Sequence, residues 1–273
     1  MQRKELISQI FARQSYLCVG LDTDPGKIPP HLAEASADPV FSFNQAIIDA
    51  TRDLCVAYKI NTAFYESRGA EGWRSLERTV DYIGEGHFRI ADAKRGDIGN
   101  TSAQYARAFF EAMDFDAVTV APYMGRDSVS PFLDFPSKWS IVLALTSNAG
   151  SADFQFSGGE VPLYERVITR TMEWGSPDNL MFVVGATRDE QLQHVRSLAP
   201  EHFFLVPGVG AQGGDLGKIS ALGLTADGGL LVNASRAILY AGSGKDFAER
   251  AREVASGYQR EMAGYLQVHS YSK

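Results

Sequence analysis

The segment 92–97 carries two carboxylates and two cations. It reads DAKRGD, so that Asp92 and Lys94 stand two positions apart and Asp97 follows a glycine. An apolar run typical of a buried strand ends at position 91, and side chains two apart on a strand share one face. We therefore expect Asp92 and Lys94 to point together, which would place a carboxylate and an ammonium side by side at one site. An exposed ion pair, and for Asp97 a charge at the start of a helix, are the simpler alternatives.

Further charged side chains follow two other apolar runs. Lys59 and Asn61 alternate at the end of the run that begins at Val56, and Asp22 follows the run that begins at Tyr16. If the ends of these runs meet, they bring together a dense array of charges of alternating sign. Burying such an array costs free energy unless every member is paired, which is why such clusters mark functional sites.

The residues after the last two apolar runs have the composition of an anion site. Pro207 opens a glycine-rich segment that contains Gln212, and Ser235 and Arg236 follow the final run. Glycines let backbone amides approach a ligand, Gln212 adds a donor, and an arginine at a helix start binds a phosphate bidentately. The segment 208–213 also fits the pattern GxGxxG, but it precedes the last strand instead of opening a first βαβ unit. We interpret that match as a coincidence.

Ser147 follows the fifth apolar run, at the start of a polar, glycine-rich stretch from 147 to 160. Its hydroxyl can donate to a substrate carbonyl or carboxylate, although a serine that caps the loop fits the sequence nearly as well. The stretch is long enough to form a lid over a site.

Eight short β-rich runs alternate along the chain with stretches of helical periodicity. The runs cover 16–21, 56–60, 88–91, 117–121, 140–145, 180–184, 202–206 and 230–232. The clearest helical stretch is 101–113, where Thr101 and Gln104 can form a capping box. The alternation predicts parallel strands, and eight units without a linker favour a single (β/α)8 TIM barrel over residues 1–273 rather than two doubly wound domains. In a barrel the carboxyl ends of the strands form the site, so the residues above belong to one rim.

Composition and charge exclude several classes of protein. With 45% apolar and 22% charged residues, the 273-residue chain can bury one large core and is neither disordered nor a disulfide-stapled miniature. A net charge of −7 argues against nucleic acid or an anionic membrane as a partner. Cys18 and Cys55 lie inside apolar runs, as is typical of free thiols in a reducing compartment. No signal-peptide pattern and no apolar stretch of about 20 residues occurs, so we expect a cytoplasmic protein.

None of the five histidines is placed for catalysis or for a metal centre. His87 and His202 precede their strands, which puts them at the rim opposite the expected site. His194 falls in a helix, and His31 and His269 lie in a loop and in the tail. The sequence therefore predicts neither histidine catalysis nor a metal site.

Taken together, these motifs resemble a known enzyme family. The pattern Asp92-x-Lys94-x-x-Asp97, with Lys59, the segment 207–212 and Arg236, is similar to that of the orotidine 5′-monophosphate decarboxylases. The segment 92–101 and Ser147-Asn148 resemble the longer-chain (type 2) branch, and the resemblance spans about residues 18–240. It implies a homodimeric barrel without metal or organic cofactor that converts orotidine 5′-monophosphate (OMP) to UMP and CO2, the last step of de novo UMP biosynthesis.

The resemblance also implies catalytic roles for four residues. Lys94 is expected to protonate the carbanion at C6 of the pyrimidine, and Lys59 and Asp92 to complete the charged network. Asp97 is expected to enter the site from the partner subunit, so that each active site is shared between two chains.

For substrate binding, the resemblance implies contacts to each part of the nucleotide. Asp22 and Lys59 would hold ribose hydroxyls, as would Thr101 from across the interface. Ser147 would meet the pyrimidine, Gln212 would bridge base and phosphate, and Arg236 would hold the phosphate. Three further positions are expected to contribute to the substrate pocket: Asn61, Pro207 and Ser235.

Two departures from the family pattern concern loop geometry rather than chemistry. Ala149 stands where many relatives have proline, and Ser235 where the shorter-chain branch has glycine.

Two alternative functions stay open. One is a magnesium-dependent sugar-phosphate decarboxylase or synthase, whose metal needs carboxylates free of ammonium partners. The other is a catalytically inactive barrel that binds nucleotides.

Overall fold

The computed structural model describes residues 1–185, 189–209 and 214–271, which form a closed barrel of eight parallel strands. The strands are β1 (Leu17–Gly20), β2 (Ala57–Asn61), β3 (Phe88–Arg95), β4 (Ala117–Val120), β5 (Trp139–Leu145), β6 (Leu180–Val184), β7 (Phe203–Pro207) and β8 (Leu230–Ala234). Each strand pairs with the next in chain order, and β8 returns to β1, where Leu17 pairs with Val232. The prediction of a single (β/α)8 barrel is confirmed.

Helices alternate with the strands. Among the described residues they are α1 (Arg3–Arg13), α2 (Pro30–Ala35), α3 (Pro39–Thr51), α4 (Ala63–Glu66), α5 (Gly69–Ile83), α6 (Gly99–Arg107), α7 (Arg126–Leu133), α8 (Leu163–Met172), α9 (Asp189–Leu198), α10 (Leu216–Gly223), α11 (Arg236–Leu239) and α12 (Phe247–Tyr271). Short 3₁₀ turns cover Pro25–Lys27 and Ala149–Asp153, so the stretch predicted as a long loop after β5 contains a helical turn.

The core of the barrel is filled by large side chains. Phe88, Trp139 and Phe203 are the first residues of β3, β5 and β7, and all three are fully buried. The Trp139 ring meets Phe88 edge to face at 6.0 Å and Phe203 at 6.4 Å. Alternate strands of a barrel contribute side chains to one interior layer. These three aromatic rings form such a layer at the amino-terminal end, which leaves the carboxyl-terminal end for a cavity.

Strand β3 differs from its prediction. It continues to Arg95, four residues beyond the apolar run 88–91, and its register with β4 shifts between Ala91 and Arg95. Within this irregular stretch Lys94 adopts a φ of +48°, in the left-handed region. Regular strand alternation therefore does not hold at Lys94.

The predicted helix 101–113 also differs in its ends. The helix α6 begins two residues earlier, its N-terminal cap is Ile98, and no side chain caps it, so the capping box of Thr101 and Gln104 is wrong. The last part of the stretch widens into a π-helical turn at Ala108–Ala112.

Several minor expectations are confirmed. Cys18 and Cys55 are free and buried, and burial raises the pKa of Cys55 to about 12. His87 and His202 directly precede β3 and β7, at the amino-terminal rim, and His194 lies in α9. No helix in the described part of the chain is long and apolar enough to cross a bilayer.

We expect the buried His202 to make the fold sensitive to acid. Its side chain lies among Arg3, Arg196 and Phe182, and burial, with the two arginines, lowers its pKa to about 4. The folded state then binds fewer protons than the unfolded state between an ordinary histidine pKa of about 6.5 and pH 4, so stability falls as the pH drops through this window. The variant His202→Leu should lose less stability than the wild type between pH 7 and pH 4.5, measured by urea unfolding. Equal losses in the two proteins would show that His202 does not contribute.

Candidate active site at the carboxyl ends of the strands

A cavity of about 570 Å³ opens at the carboxyl-terminal end of the barrel. Its walls come from the ends of β1, β2, β3, β7 and β8 and from the residues that follow them. Seven residues singled out in the sequence line it: Asp22, Lys59, Asn61, Asp92, Pro207, Ser235 and Arg236.

Charges of alternating sign form a continuous chain along one wall. Lys59 Nζ lies 3.2 Å from Asp22 Oδ1 and 3.1 Å from Asp92 Oδ2. The other oxygen of Asp92, Oδ1, lies 2.6 Å from Lys94 Nζ. Asp22 also accepts the backbone N–H of Asn61 at 3.2 Å. The strand order brings these residues together, because β2 lies between β1 and β3.

The pairing decides the protonation states of the buried groups. Lys59 is 3% exposed, and this burial by itself lowers its pKa, but Asp22 and Asp92 outweigh it and raise the pKa above the ordinary lysine value. Burial by itself raises the pKa of Asp92, but Lys59 and Lys94 outweigh it and hold the pKa well below its usual range. At neutral pH the wall therefore keeps a charged Lys59 beside a charged Asp92.

Thr119 on β4 holds the irregular end of β3, and the sequence interpretation missed it. Its buried hydroxyl donates to Asp92 Oδ1 at 3.0 Å and accepts the backbone N–H of Lys94 at 2.9 Å. A left-handed backbone costs a non-glycine residue about 1–2 kcal/mol, and this hydrogen bond helps to hold Lys94 there. A polar residue inside the otherwise apolar strand AVTV was the available signal.

A second part of the wall is formed by the ends of β7 and β8. Arg236 is the first residue of α11 and is exposed, and no described residue forms an ion pair with its guanidinium. Asn233 Nδ2 donates to Ser235 Oγ at 3.2 Å, while the buried Asn233 Oδ1 has no partner among the described residues. A Cβ on Gly20 would lie 1.8 Å from Ser235 Oγ, so β1 needs glycine there for this turn to approach.

Four of the other predicted residues are described by the structure and do not line the cavity: Lys94, Asp97, Thr101 and Ser147. The carboxylate of Asp97 accepts the backbone N–H of Ile98 at 2.8 Å, and Thr101 lies exposed in the first turn of α6. Ser147 packs beside the end of β6, where a Cβ on Gly185 would lie 2.8 Å from its backbone nitrogen. Gln212 lies outside the described residues.

Five residues of the cavity wall were not assigned to the site from the sequence: Asp24, Lys27, Phe64, Asn233 and Tyr240. Three belong to turns rather than to apolar runs, where spacing gives no information about the direction of a side chain. Phe64 lies in a short helix, and Asn233 is a polar residue at the end of β8.

Comparison with known proteins shows which family the chain belongs to. The model of the orotidine 5′-phosphate decarboxylase / HUMPS family matches residues 15–251. The chain belongs to this family. It is 56% identical over 272 residues to the orotidine 5′-phosphate decarboxylase of Parabacteroides distasonis, covering 97% of this chain and 96% of the relative. It is 55% identical over 267 residues to that of Flavobacterium johnsoniae, covering 96% and 97%. A solved structure of Leishmania donovani OMP decarboxylase superposes with a TM-score of 0.81 at 36% identity, covering 96% of this chain and 99% of that one.

We expect removal of the buried ammonium of Lys59 to lower the free energy of unfolding. The variant Lys59→Met leaves Asp22 and Asp92 facing each other across the wall, and breaking a buried ion pair in this way costs about 3–5 kcal/mol. Lys138→Met is the matched control, because its partner Asp114 is 60% exposed and pairs with an exposed partner contribute at most about 1 kcal/mol. Urea unfolding at pH 7 compares the two. Equal losses would mean that the network does not stabilise the fold.

Proposed function

We propose that this protein decarboxylates OMP to UMP and CO2, the last step of de novo UMP biosynthesis, as a carboxy-lyase that needs no metal and no organic cofactor. The observation that carries the proposal is the chain of charges from Asp22 through Lys59 and Asp92 to Lys94, whose first three members line the same cavity as Arg236. Family membership supports it. Residues 1–273 act as one catalytic domain, and with two free cysteines the protein suits the cytoplasm.

The chemistry requires stabilisation of a localised negative charge. When the bond between C6 and the carboxylate breaks, CO2 leaves and the electron pair stays on C6, where no adjacent carbonyl delocalises it. The ammonium of Lys94 stabilises this pair electrostatically and then transfers a proton from Nζ to C6. Asp92 orients Lys94 through the 2.6 Å contact, and Lys59 holds Asp92 from its other oxygen.

Binding of the distant parts of the substrate contributes to the rate. Enzymes lower barriers by about 8–23 kcal/mol, more than one lysine supplies. Arg236 binds the phosphate with Gln212, while Asp22 and Lys59 bind the ribose hydroxyls. Contacts to the non-reacting parts of a substrate position the reacting ring, and their binding energy lowers the free energy of the transition state. Ser147 contacts the pyrimidine, and the other wall residues that surround the nucleotide are Asn61, Pro207 and Ser235.

A second copy of the chain completes each site. In one chain Lys94 has a side chain that is 50% exposed, and Asp97 lies outside the cavity. Two apolar side chains that follow β3 and β4 are exposed: Ile98, next to Asp97, is 58% exposed, and Tyr123 is 85% exposed. Burying them in a homodimer brings Asp97 and Thr101 of one subunit to the cavity of the other.

We expect the variant Lys94→Ala to remain folded and to lose at least about a thousandfold of its turnover of OMP, since it lacks both the charge and the proton donor. Decarboxylation is followed by the loss of OMP absorbance, and folding by circular dichroism. The control Lys245→Ala changes an exposed lysine outside the cavity and should keep full activity. Turnover by Lys94→Ala at the wild-type rate would remove Lys94 from the mechanism.

The same assay tests the magnesium-dependent alternative. Lys59 and Lys94 occupy the carboxylates that a metal ion would need, so we expect wild-type turnover to persist in EDTA. Loss of activity in EDTA and its return with Mg²⁺ would overturn the cofactor-independent mechanism.

Subunit mixing tests the shared site. Asp97→Ala and Lys94→Ala should each be inactive alone. In a mixed dimer one site carries both defects and the other carries neither, so random reassociation of equal amounts should restore roughly a quarter of the wild-type activity. No recovery, despite demonstrated exchange of subunits, would mean that Asp97 acts within its own chain or not at all.

A further inference from the structure

Tyr240 connects the segment that follows β8 with the turn that follows β1, and neither the sequence motifs nor the reaction chemistry assigns it a role. It directly follows α11, the helix that begins with Arg236, and its backbone nitrogen donates to the Arg236 carbonyl at 3.2 Å. Its side chain crosses to the turn after β1 and, like Asp22 and Arg236, lines the cavity.

The hydroxyl of Tyr240 uses both of its hydrogen-bonding functions on that turn. It accepts the backbone N–H of Asp24 at 2.9 Å and donates to the backbone carbonyl of Asp22 at 3.4 Å. Burial raises the pKa of Tyr240, which keeps the hydroxyl protonated and able to donate. One side chain therefore ties down the peptide groups on both sides of Thr23.

The rest of the turn is held from the side of the core. Tyr65 donates to the carbonyl of Leu21 at 2.9 Å, and Thr23 donates to the buried Asn44 at 2.6 Å. These contacts fix the turn against α3 and α4, whereas the hydroxyl of Tyr240 fixes it against the segment of α11, the helix that begins with Arg236. Its ring also stacks with Phe43 at 6.3 Å, which restricts the direction of the side chain.

We propose that Tyr240 is a positioning residue that sets the distance between the ribose-facing carboxylate of Asp22 and the phosphate-facing guanidinium of Arg236. The inference rests on the proposed function, because it needs a ligand that spans both groups. Such a ligand gains from both groups only when their separation matches its own length. A ligand that contacts one group alone is insensitive to this separation.

The variant Tyr240→Phe tests the role, because it removes the hydroxyl and keeps the ring. Loss of hydrogen bonds of this kind corresponds to about a fivefold to tenfold change in an equilibrium constant. We expect kcat/KM for OMP to fall by that factor, mainly through KM, and UMP to inhibit correspondingly more weakly. Inhibition by uridine, which lacks the phosphate, should change by less than about twofold. Tyr82→Phe is the matched control, since it removes hydrogen bonds to Asp49 far from the cavity.

A double-mutant cycle with Asp22→Asn separates positioning from a general structural effect. If Tyr240 acts by placing Asp22, then Tyr240→Phe should cost less than about twofold once Asp22 has lost its charge. Additive losses, or equal weakening of UMP and uridine, would overturn the inference, and so would an unchanged kcat/KM. If wild-type protein failed to turn over OMP, the proposed function would be wrong, and direct titration with UMP and uridine would still decide the role of Tyr240.

Discussion

The buried ammonium of Lys59 is the constraint on which the rest of the site depends. A lysine that is 3% exposed keeps its charge only when carboxylates contact it, and Asp22, just after β1, and Asp92, on β3, supply them. Asp92 in turn holds Lys94, so each charge has its partner within one chain of contacts. Because removal of one member leaves another unpaired in a buried environment, the network is stable only when it is complete.

Strand β3 departs from regular geometry where this network ends. Its register with β4 shifts after Ala91, and Lys94 takes up a left-handed backbone that costs free energy. Thr119 compensates by bonding both the carboxylate of Asp92 and the peptide nitrogen of Lys94. The result is a lysine that contacts the same carboxylate from outside the buried pair, with half of its side chain exposed. Strain is thus concentrated beside the proposed proton donor.

The two ends of the barrel have different roles: the amino-terminal end stabilises the fold, and the carboxyl-terminal end holds the groups proposed to carry out the chemistry. The amino-terminal end is filled by an aromatic layer that includes Trp139, and the carboxyl-terminal end holds the cavity and its charges. Within the cavity, the charged residues come from β1 to β3 and the turn at Arg236 follows β8, and the nucleotide is proposed to contact both. Close packing at Gly20 allows the turn at Ser235 to approach β1. The barrel therefore positions both the charged residues proposed to act on one end of the ligand and the arginine proposed to bind its other end.

The sequence by itself determined the barrel and the core of the charged network. Apolar runs and helical periods are local patterns, and in a barrel neighbours in the chain are neighbours in space, so Lys59 had to lie between Asp22 and Asp92. The meeting of Asp92 and Lys94 was predicted correctly but for a reason that does not hold, since alternation ends at the register shift. Tertiary structure alone decided the left-handed backbone of Lys94, the support from Thr119 and the bridge formed by Tyr240. These features depend on contacts between residues far apart in the chain, whose relative positions no local spacing encodes.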